Sequence, residues 1–135
     1  MKGQSILLLK GDFFDLDAIE AGGKFDFVWD RASLVAIQPE LRQAYVDAMG
    51  SVLKKGGQIL LSTWVRPNGD TTTGPPFSID EAEVKRFYQD QPWVDSIECI
   101  DSKSLFGSES WYKATFMYLR MGNVQEKIFL IRAKK

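Results

Sequence analysis

Three residues that can take part in binding chemistry, Asp12, Phe13 and Arg31, lie just beyond two short apolar runs, Ile6–Leu9 and Phe25–Trp29. Each run is predicted to be a buried strand of a parallel sheet. Open parallel sheets bind nucleotides at the carboxyl ends of their strands. We therefore expect Asp12, Phe13 and Arg31 to share one edge of the sheet, where a nucleotide-like ligand would bind.

Simpler structural roles for these residues remain open from the residues alone. Asp12 and Phe13 also suit a turn in which the Asp side chain accepts a backbone hydrogen bond and the Phe joins the core. Arg31 also suits a surface salt bridge with the neighbouring Asp30.

The chain contains no histidine and a single cysteine, Cys99. Ser-His and Cys-His nucleophiles and histidine zinc sites are therefore excluded for these residues, as is an internal disulfide. We expect Cys99 to be a small buried thiol in a protein of a reducing compartment. The chemistry is left to carboxylates, arginines, backbone amides or a cofactor.

Composition predicts one domain or part of one over residues 1–135, because 44% of the residues are hydrophobic and the chain is too short for two ordinary cores. A formal net charge of -1 gives no support for nucleic acid or an anionic membrane as partner and favours a small-molecule substrate. The N-terminal apolar run covers only four residues, Ile6–Leu9, so neither a signal peptide nor a membrane span is predicted. We expect a soluble, cytoplasmic protein.

Strand-like and helix-like stretches alternate along the first two thirds of the chain, which predicts a parallel sheet covered by helices. Strands are expected at Ile6–Leu9, Phe25–Trp29, Gln58–Val65, Val94–Ile100, Ser110–Arg120 and Gln125–Ala133. Helices are expected at Glu40–Lys54 and at Glu81–Tyr88. The last strands, separated by short turns such as Met121-Gly122-Asn123, predict an antiparallel hairpin that closes the sheet.

The ends of the two helices carry recognisable signals. Pro39 suits the first helical position, and Gly56 suits a left-handed cap after the first helix. Asp80 with Glu83 three residues later resembles a capping box. The apolar stripe of the first helix is assigned to the core and its charged face to solvent; the stripe consists of Leu41, Tyr45, Ala48, Met49, Val52 and Leu53.

Three motifs occur in order: GDFFDL at 11–16, KFDFVWDRASLVAI at 24–37 and GPPF at 74–77. Together they resemble successive motifs of the thiopurine S-methyltransferases, a family of class I S-adenosylmethionine-dependent methyltransferases. The resemblance implies a Rossmann-like α/β sheet with a C-terminal antiparallel hairpin. It also implies S-adenosylmethionine as cofactor, small aromatic or heterocyclic thiols as methyl acceptors, and a monomer if the chain is complete.

The same resemblance implies a set of site residues. Asp12 and Phe13 would contact the adenine ring of the cofactor, and Arg31 would lie at both the cofactor and the acceptor. Pro76 and Phe77, at the end of the proline-rich loop 66–77, would contact the acceptor; a stiff connection between strand and helix is the simpler alternative for that loop. Phe14 and Trp29 are assigned to the core, and no residue is assigned a catalytic or metal-binding role.

The sequence also departs from the family pattern. The Gly-rich turn and the ribose-binding acidic residue are absent upstream of Ile6, so the chain resembles a C-terminal portion of the domain. In the family's sheet two further strands separate Ile6–Leu9 from Phe25–Trp29, so either the first strand pairs directly with the second or an edge stays unpaired. A family arginine expected shortly before Trp111 has no counterpart. The alternative hypothesis is therefore a catalytically silent partial domain that associates through its strand edge.

Overall fold

The computed structural model describes residues 3, 5–67, 72–104 and 122–135. Its sheet has four strands in the order β1-β2-β4-β3: β1 is Phe25–Arg31, β2 Leu53–Val65, β3 Val94–Ser104 and β4 Gln125–Ala133. Strands β1 and β2 are parallel, whereas β4 is antiparallel to both of its neighbours. The mixed α/β sheet with an antiparallel C-terminal pair confirms the predicted fold class.

Most of the predicted elements within the described residues are present. Helix α1 is Arg42–Val52, preceded by a 3-10 turn that begins at Pro39, and helix α2 is Glu81–Tyr88. The Asp80 carboxylate caps α2 by accepting a hydrogen bond from the Glu83 amide at 2.9 Å. Strand β4 has the predicted bounds, and the predicted strand Ser110–Arg120 lies outside the described residues.

The end of the first helix differs from the prediction. Leu53 already has extended backbone angles and begins β2, so the helix ends at Val52 and not at Lys54. Gly56 does adopt a left-handed conformation, with φ of 73°, but it lies within β2, where its amide donates to the Lys134 carbonyl at 2.8 Å. Leu53 instead pairs as a strand residue opposite Phe25 of β1, and the register then shifts so that Gln58 lies opposite Phe27.

The core lies on one face of the sheet. Ile59 and Leu61 of β2 pair with Ile131 and Phe129 of β4, and all four side chains are fully buried. Helices α1 and α2 pack on this face; their buried apolar residues are Tyr45, Val46, Met49, Val52, Val84, Phe87 and Tyr88. On the opposite face Leu60 and Leu130 are only partly buried.

The strand predicted at Ile6–Leu9 is wrong. The segment is irregular and its side chains are exposed, Ile6 at 88% and Leu8 at 90%. A strand buried on both faces needs hydrogen-bonding neighbours, and no described strand pairs with it. Within the described part of the chain, β1 is accordingly the edge of the sheet, and the segment does not dock beside it.

The assignments of Phe14 and Trp29 to the core are also wrong, because no described element covers these side chains. Phe14 is 41% exposed and Trp29 is 66% exposed. Trp29 points away from α1 and α2, toward the face where no described helix packs. Leu41, from the predicted apolar stripe, is 45% exposed, and Cys99 is half-buried with its Sγ 3.6 Å from the Asp101 carbonyl.

No helix in the described ranges is long and apolar enough to cross a membrane.

Candidate functional site

The carboxyl ends of β1 and β2 meet at one edge, because the two strands are parallel. After Arg31 the chain turns at Ala32, which has a positive φ of 58° and donates its amide to the Ser62 carbonyl at 3.0 Å. Such a left-handed conformation is unfavourable for a residue with a Cβ. The turn after β1 is therefore held in place by its neighbour β2.

The loop after β2 folds back onto this turn. The Phe77 amide donates to the Val35 carbonyl at 2.7 Å, and the Ile79 amide donates to the Trp64 carbonyl at 2.9 Å. The GPPF motif is thus attached by its last residue to the segment that follows Arg31. Two of the three family-like motifs meet at this edge of the sheet.

Asp12 forms the turn that the residues alone allowed. Its carboxylate Oδ1 accepts from the Phe14 amide at 3.0 Å and caps the short 3-10 turn Phe13–Asp15. No other hydrogen bond to this carboxylate forms among the described residues. A cavity of about 530 Å³ opens beside the turn and is lined by nine residues between Leu7 and Glu20, Asp12 and Phe13 among them.

Phe13 joins this turn to helix α1. Its half-buried ring lies against the Tyr45 ring, with 5.0 Å between the ring centroids and 42° between the planes. Phe14, by contrast, contacts Phe13 edge-on at 6.4 Å and is largely exposed. The turn is therefore packed onto α1 through Phe13.

Asp30 is a buried carboxylate at the end of β1, with 3% exposure. The Tyr45 hydroxyl donates to its Oδ2 at 2.8 Å, and the Ser33 amide donates to its Oδ1 at 3.2 Å. Burial raises the pKa of Asp30 above its ordinary value, although these hydrogen bonds act in the opposite direction. Burial also raises the pKa of the Tyr45 hydroxyl, which therefore stays protonated and can donate.

The raised pKa of Asp30 predicts a pH-dependent contribution to stability. The folded state binds the proton more tightly than the unfolded chain, so protonation stabilises the fold. This contribution is present below the ordinary pKa of 3.8 and is lost as the pH rises through the higher pKa of the folded state. Denaturant titrations should therefore show that, as the pH rises from acidic to neutral, the unfolding free energy of the wild type falls relative to that of Asp30→Asn. A difference that stays constant over this range would contradict the prediction.

Arg31 lies on the opposite face of β1 from Asp30 and is exposed. The salt bridge between them that the sequence allowed does not form, since Asp30 pairs with Tyr45 and Ser33. Within the described ranges, no ion pair or hydrogen bond engages the Arg31 side chain. Its guanidinium is therefore available for a ligand at this edge.

Two arginines hold the proline-rich loop. Arg66 donates from Nη2 to the Pro76 carbonyl at 2.9 Å. The Arg42 guanidinium carbon lies 5.0 Å from the centre of the Phe77 ring, and its Nε donates to the Ile37 carbonyl at 3.3 Å. Phe77 is 5% exposed, so its ring is turned into the protein, while Pro76 is half-buried.

The charged face of α1 was assigned to solvent, and for Arg42 this assignment is wrong. Arg42 is 4% exposed, and its Nη2 is buried with no hydrogen-bond partner among the described residues. Burial lowers the pKa of its guanidinium. The helical pattern gave no sign of this, because Arg42 is buried by the loop that returns from β2 and not by the helix itself.

The structure thus brings the predicted site residues together only in part. Arg31 and the loop with Pro76 and Phe77 share one edge of the sheet, whereas the cavity beside Asp12 and Phe13 is not lined by Arg31. The roles predicted for these five residues stay predictions. Sequence reasoning missed Asp30 as the partner of Tyr45, which it had placed in the core stripe.

Comparisons with known proteins agree with the fold. The family model for thiopurine S-methyltransferase (TPMT) matches residues 1–127. A thiopurine S-methyltransferase of Nitrosospira multiformis is 35% identical over 129 residues, which are 96% of this chain and 54% of that protein. A thiopurine S-methyltransferase of Equus caballus is 40% identical over 90 residues, 67% of this chain and 35% of that protein. The chain spans about half the length of the first of these relatives and less of the second.

A solved SAM-dependent methyltransferase from Methanosarcina mazei superposes with a TM-score of 0.62 at 13% identity, covering 92% of this chain and 65% of the other. At that identity the likeness shows the fold alone. The family is shown by the match to residues 1–127 and by the identity with the bacterial relative. From this evidence, the chain belongs to the thiopurine S-methyltransferase family.

Proposed function

We propose that the chain takes part in S-adenosylmethionine-dependent methyl transfer to small aromatic or heterocyclic thiols. The proposal rests mainly on Arg31. This arginine is exposed, forms no ion pair among the described residues, and lies at the carboxyl edge of the sheet within the family's motif. The thiopurine S-methyltransferase relatives support this substrate class. We also propose that residues 1–135 form a single partial methyltransferase domain, its C-terminal part, in the cytoplasm, with no nucleic-acid or membrane partner.

The residues beside the cavity fit the adenine end of the cofactor. The second carboxylate oxygen of Asp12 is available to accept from an exocyclic amine, because only Oδ1 is used in the turn. The half-buried ring of Phe13 offers an apolar wall, and the cavity of about 530 Å³ lies in the size range of small-molecule sites. When bound, the cofactor supplies a methyl group on a sulfonium centre.

Arg31 would act on the acceptor. A permanently charged, planar guanidinium stabilises a thiolate-like anion and fixes its orientation. In-line displacement needs alignment and exclusion of water more than it needs a strong base. An aromatic thiol ionises far more readily than an alcohol, which suits a chain without histidine. Pro76, held by Arg66, would border the acceptor; Phe77, with its ring buried, would contribute by fixing that loop.

The experiment that tests this proposal compares acceptors of matched shape. Labelled S-adenosylmethionine is incubated with the 135-residue chain and thiophenol, phenol or aniline. The proposal predicts methyl transfer to thiophenol and none above background to the other two. Transfer to phenol or aniline at a comparable rate would refute the thiol assignment, and no transfer to any of them would refute activity of this chain.

A second candidate function, association of two copies through β1, is favoured by the exposed edge. Phe27 and Trp29 are 52% and 66% exposed on a strand that has no described neighbour on its outer side. Unpaired apolar edge strands promote association. Sedimentation over a concentration series should then show a dimer that Trp29→Glu abolishes; a wild-type monomer at all concentrations would exclude this function.

A further inference from the structure

Helix α1 touches both segments to which the proposed function assigns ligand contacts, the turn at Asp12 and Phe13 for the cofactor and the turn at Arg31 for the acceptor. Tyr45 is the residue that reaches them: its ring packs on Phe13, and its hydroxyl donates to Asp30. Phe13 adjoins Asp12, and Asp30 adjoins Arg31. These two segments are separated by 16 residues in the sequence, and Tyr45 contacts both.

We propose that Tyr45 is a positioning residue that couples the turn at Asp12 and Phe13 to the turn at Arg31, an inference that rests on the proposed function for its catalytic meaning. The coupling passes from the Phe13 ring to the Tyr45 ring, and from the Tyr45 hydroxyl to the Asp30 carboxylate. Asp30 then holds the Ser33 amide, which closes the turn that follows Arg31.

The burial of these groups makes the connection effective. Tyr45 is 6% exposed and Asp30 is 3% exposed, so neither side chain can exchange its partner for water without opening the core. A shift of Phe13 would displace the Tyr45 ring, and the hydroxyl would then lose its alignment with Asp30. A ligand that orders one turn would consequently favour the ordered form of the other.

Tyr88 provides a matched control for Tyr45. It is a fully buried tyrosine in the same core, but its hydroxyl has no hydrogen-bond partner among the described residues. The Tyr88 hydroxyl interacts electrostatically with Asp30 and Tyr45 but hydrogen-bonds neither, so its removal changes the same part of the core without breaking a contact of either turn. Phe14 is the corresponding control for Phe13, since its ring is largely exposed and does not contact Tyr45.

Amide hydrogen exchange of the 135-residue chain, followed by NMR without any ligand, tests the coupling. The Ser33 amide reports on the turn after Arg31, and the Ile79 amide, which donates to Trp64, serves as the reference for global opening. Phe13→Ala should accelerate exchange at Ser33 relative to Ile79 by about fivefold or more. Phe14→Ala should leave this ratio unchanged.

The same measurement in a Tyr45→Phe background tests whether the coupling passes through the Tyr45 hydroxyl. Without the hydroxyl, Phe13→Ala should change the Ser33 ratio by less than about twofold, whereas the full effect should persist in Tyr88→Phe. If Phe13→Ala does not fold, Phe13→Leu removes the ring contact while keeping apolar volume. An unchanged Ser33 ratio in Phe13→Ala, or an equal effect in Tyr45→Phe, would overturn the proposal.

A different experiment tests the proposed function, so its outcome can be distinguished from that of the coupling through Tyr45. Calorimetric titration of the wild type with S-adenosylhomocysteine decides whether the cofactor site exists, and the exchange experiment needs no cofactor. Coupling without binding would uphold the role of Tyr45 and refute the function. With binding present, Tyr45→Phe should weaken S-adenosylhomocysteine about fivefold and Tyr88→Phe should not; equal weakening by both would also overturn the proposal.

Discussion

Arg31→Met is expected to lower kcat/KM for methylation of an aromatic thiol by about a hundredfold, the size of effect seen when a donor that stabilises a developing anion is removed. Methionine keeps much of the side-chain length and removes the charge. Because the Arg31 side chain is exposed and forms no ion pair with the described residues, its loss should leave the unfolding free energy nearly unchanged. Steady-state kinetics with thiophenol and chemical denaturation of the same preparations measure the two effects.

Arg86→Met is the matched control for this prediction. Arg86 is also an exposed arginine, but it lies on α2 and pairs with Glu83 at 2.9 Å, away from the carboxyl edge of β1. Its replacement should leave kcat/KM unchanged. Equal losses in the two variants, or a loss of less than about threefold in Arg31→Met, would contradict the role assigned to Arg31.

Phe129→Ala should cost about 3–5 kcal/mol of unfolding free energy, because it removes a fully buried ring from the centre of the sheet and leaves a cavity. Phe129 pairs with Leu61 and lies in the core cluster with residues of α1 and α2, so refilling the space would require these elements to shift. Domains of this kind are stable by only about 5–15 kcal/mol. Urea denaturation followed by tryptophan fluorescence measures the loss.

Leu130→Ala tests whether the core really lies on one face. Leu130 is the next residue of β4 and points to the opposite face, where it is partly buried beside Leu60. Its truncation should cost only about 1 kcal/mol. A loss as large as that of Phe129→Ala would show that both faces of the sheet are covered.

Much of the fold could be predicted from the sequence because local signals and tertiary contacts agree there. Asp80 caps α2 as its spacing suggested, and β4 has the bounds expected from its apolar run. The segment Ile6–Leu9 could not be predicted correctly in this way. An apolar run indicates that a strand is possible, but a strand forms only where a neighbouring strand can pair with it. Phe14 and Trp29 were misplaced because their burial would depend on elements that the described residues do not provide.

The candidate site could be predicted less completely. Arg31 shares an edge with the loop that carries Pro76 and Phe77, because parallel strands and the loops after them impose it. Asp12 and Phe13 were expected at the same edge, but they follow no described strand of the sheet. Neither the burial of Arg42 nor the bond between Tyr45 and Asp30 could be predicted, because each depends on how separate segments pack against α1. Helical periodicity places Tyr45 toward the core and says nothing about which carboxylate meets its hydroxyl.

Titration of the wild-type chain with S-adenosylhomocysteine tests the central claim most directly. Burial of apolar surface makes the enthalpy of binding temperature-dependent, and at one temperature this enthalpy is zero. Isothermal calorimetry is therefore carried out at two temperatures, so that binding gives heat at one of them at least. We expect saturable one-to-one binding with a Kd of about 1–100 μM, corresponding to a binding free energy of about -8 to -5.5 kcal/mol. No heat at either temperature with the folded chain would contradict the claim that these 135 residues hold the cofactor.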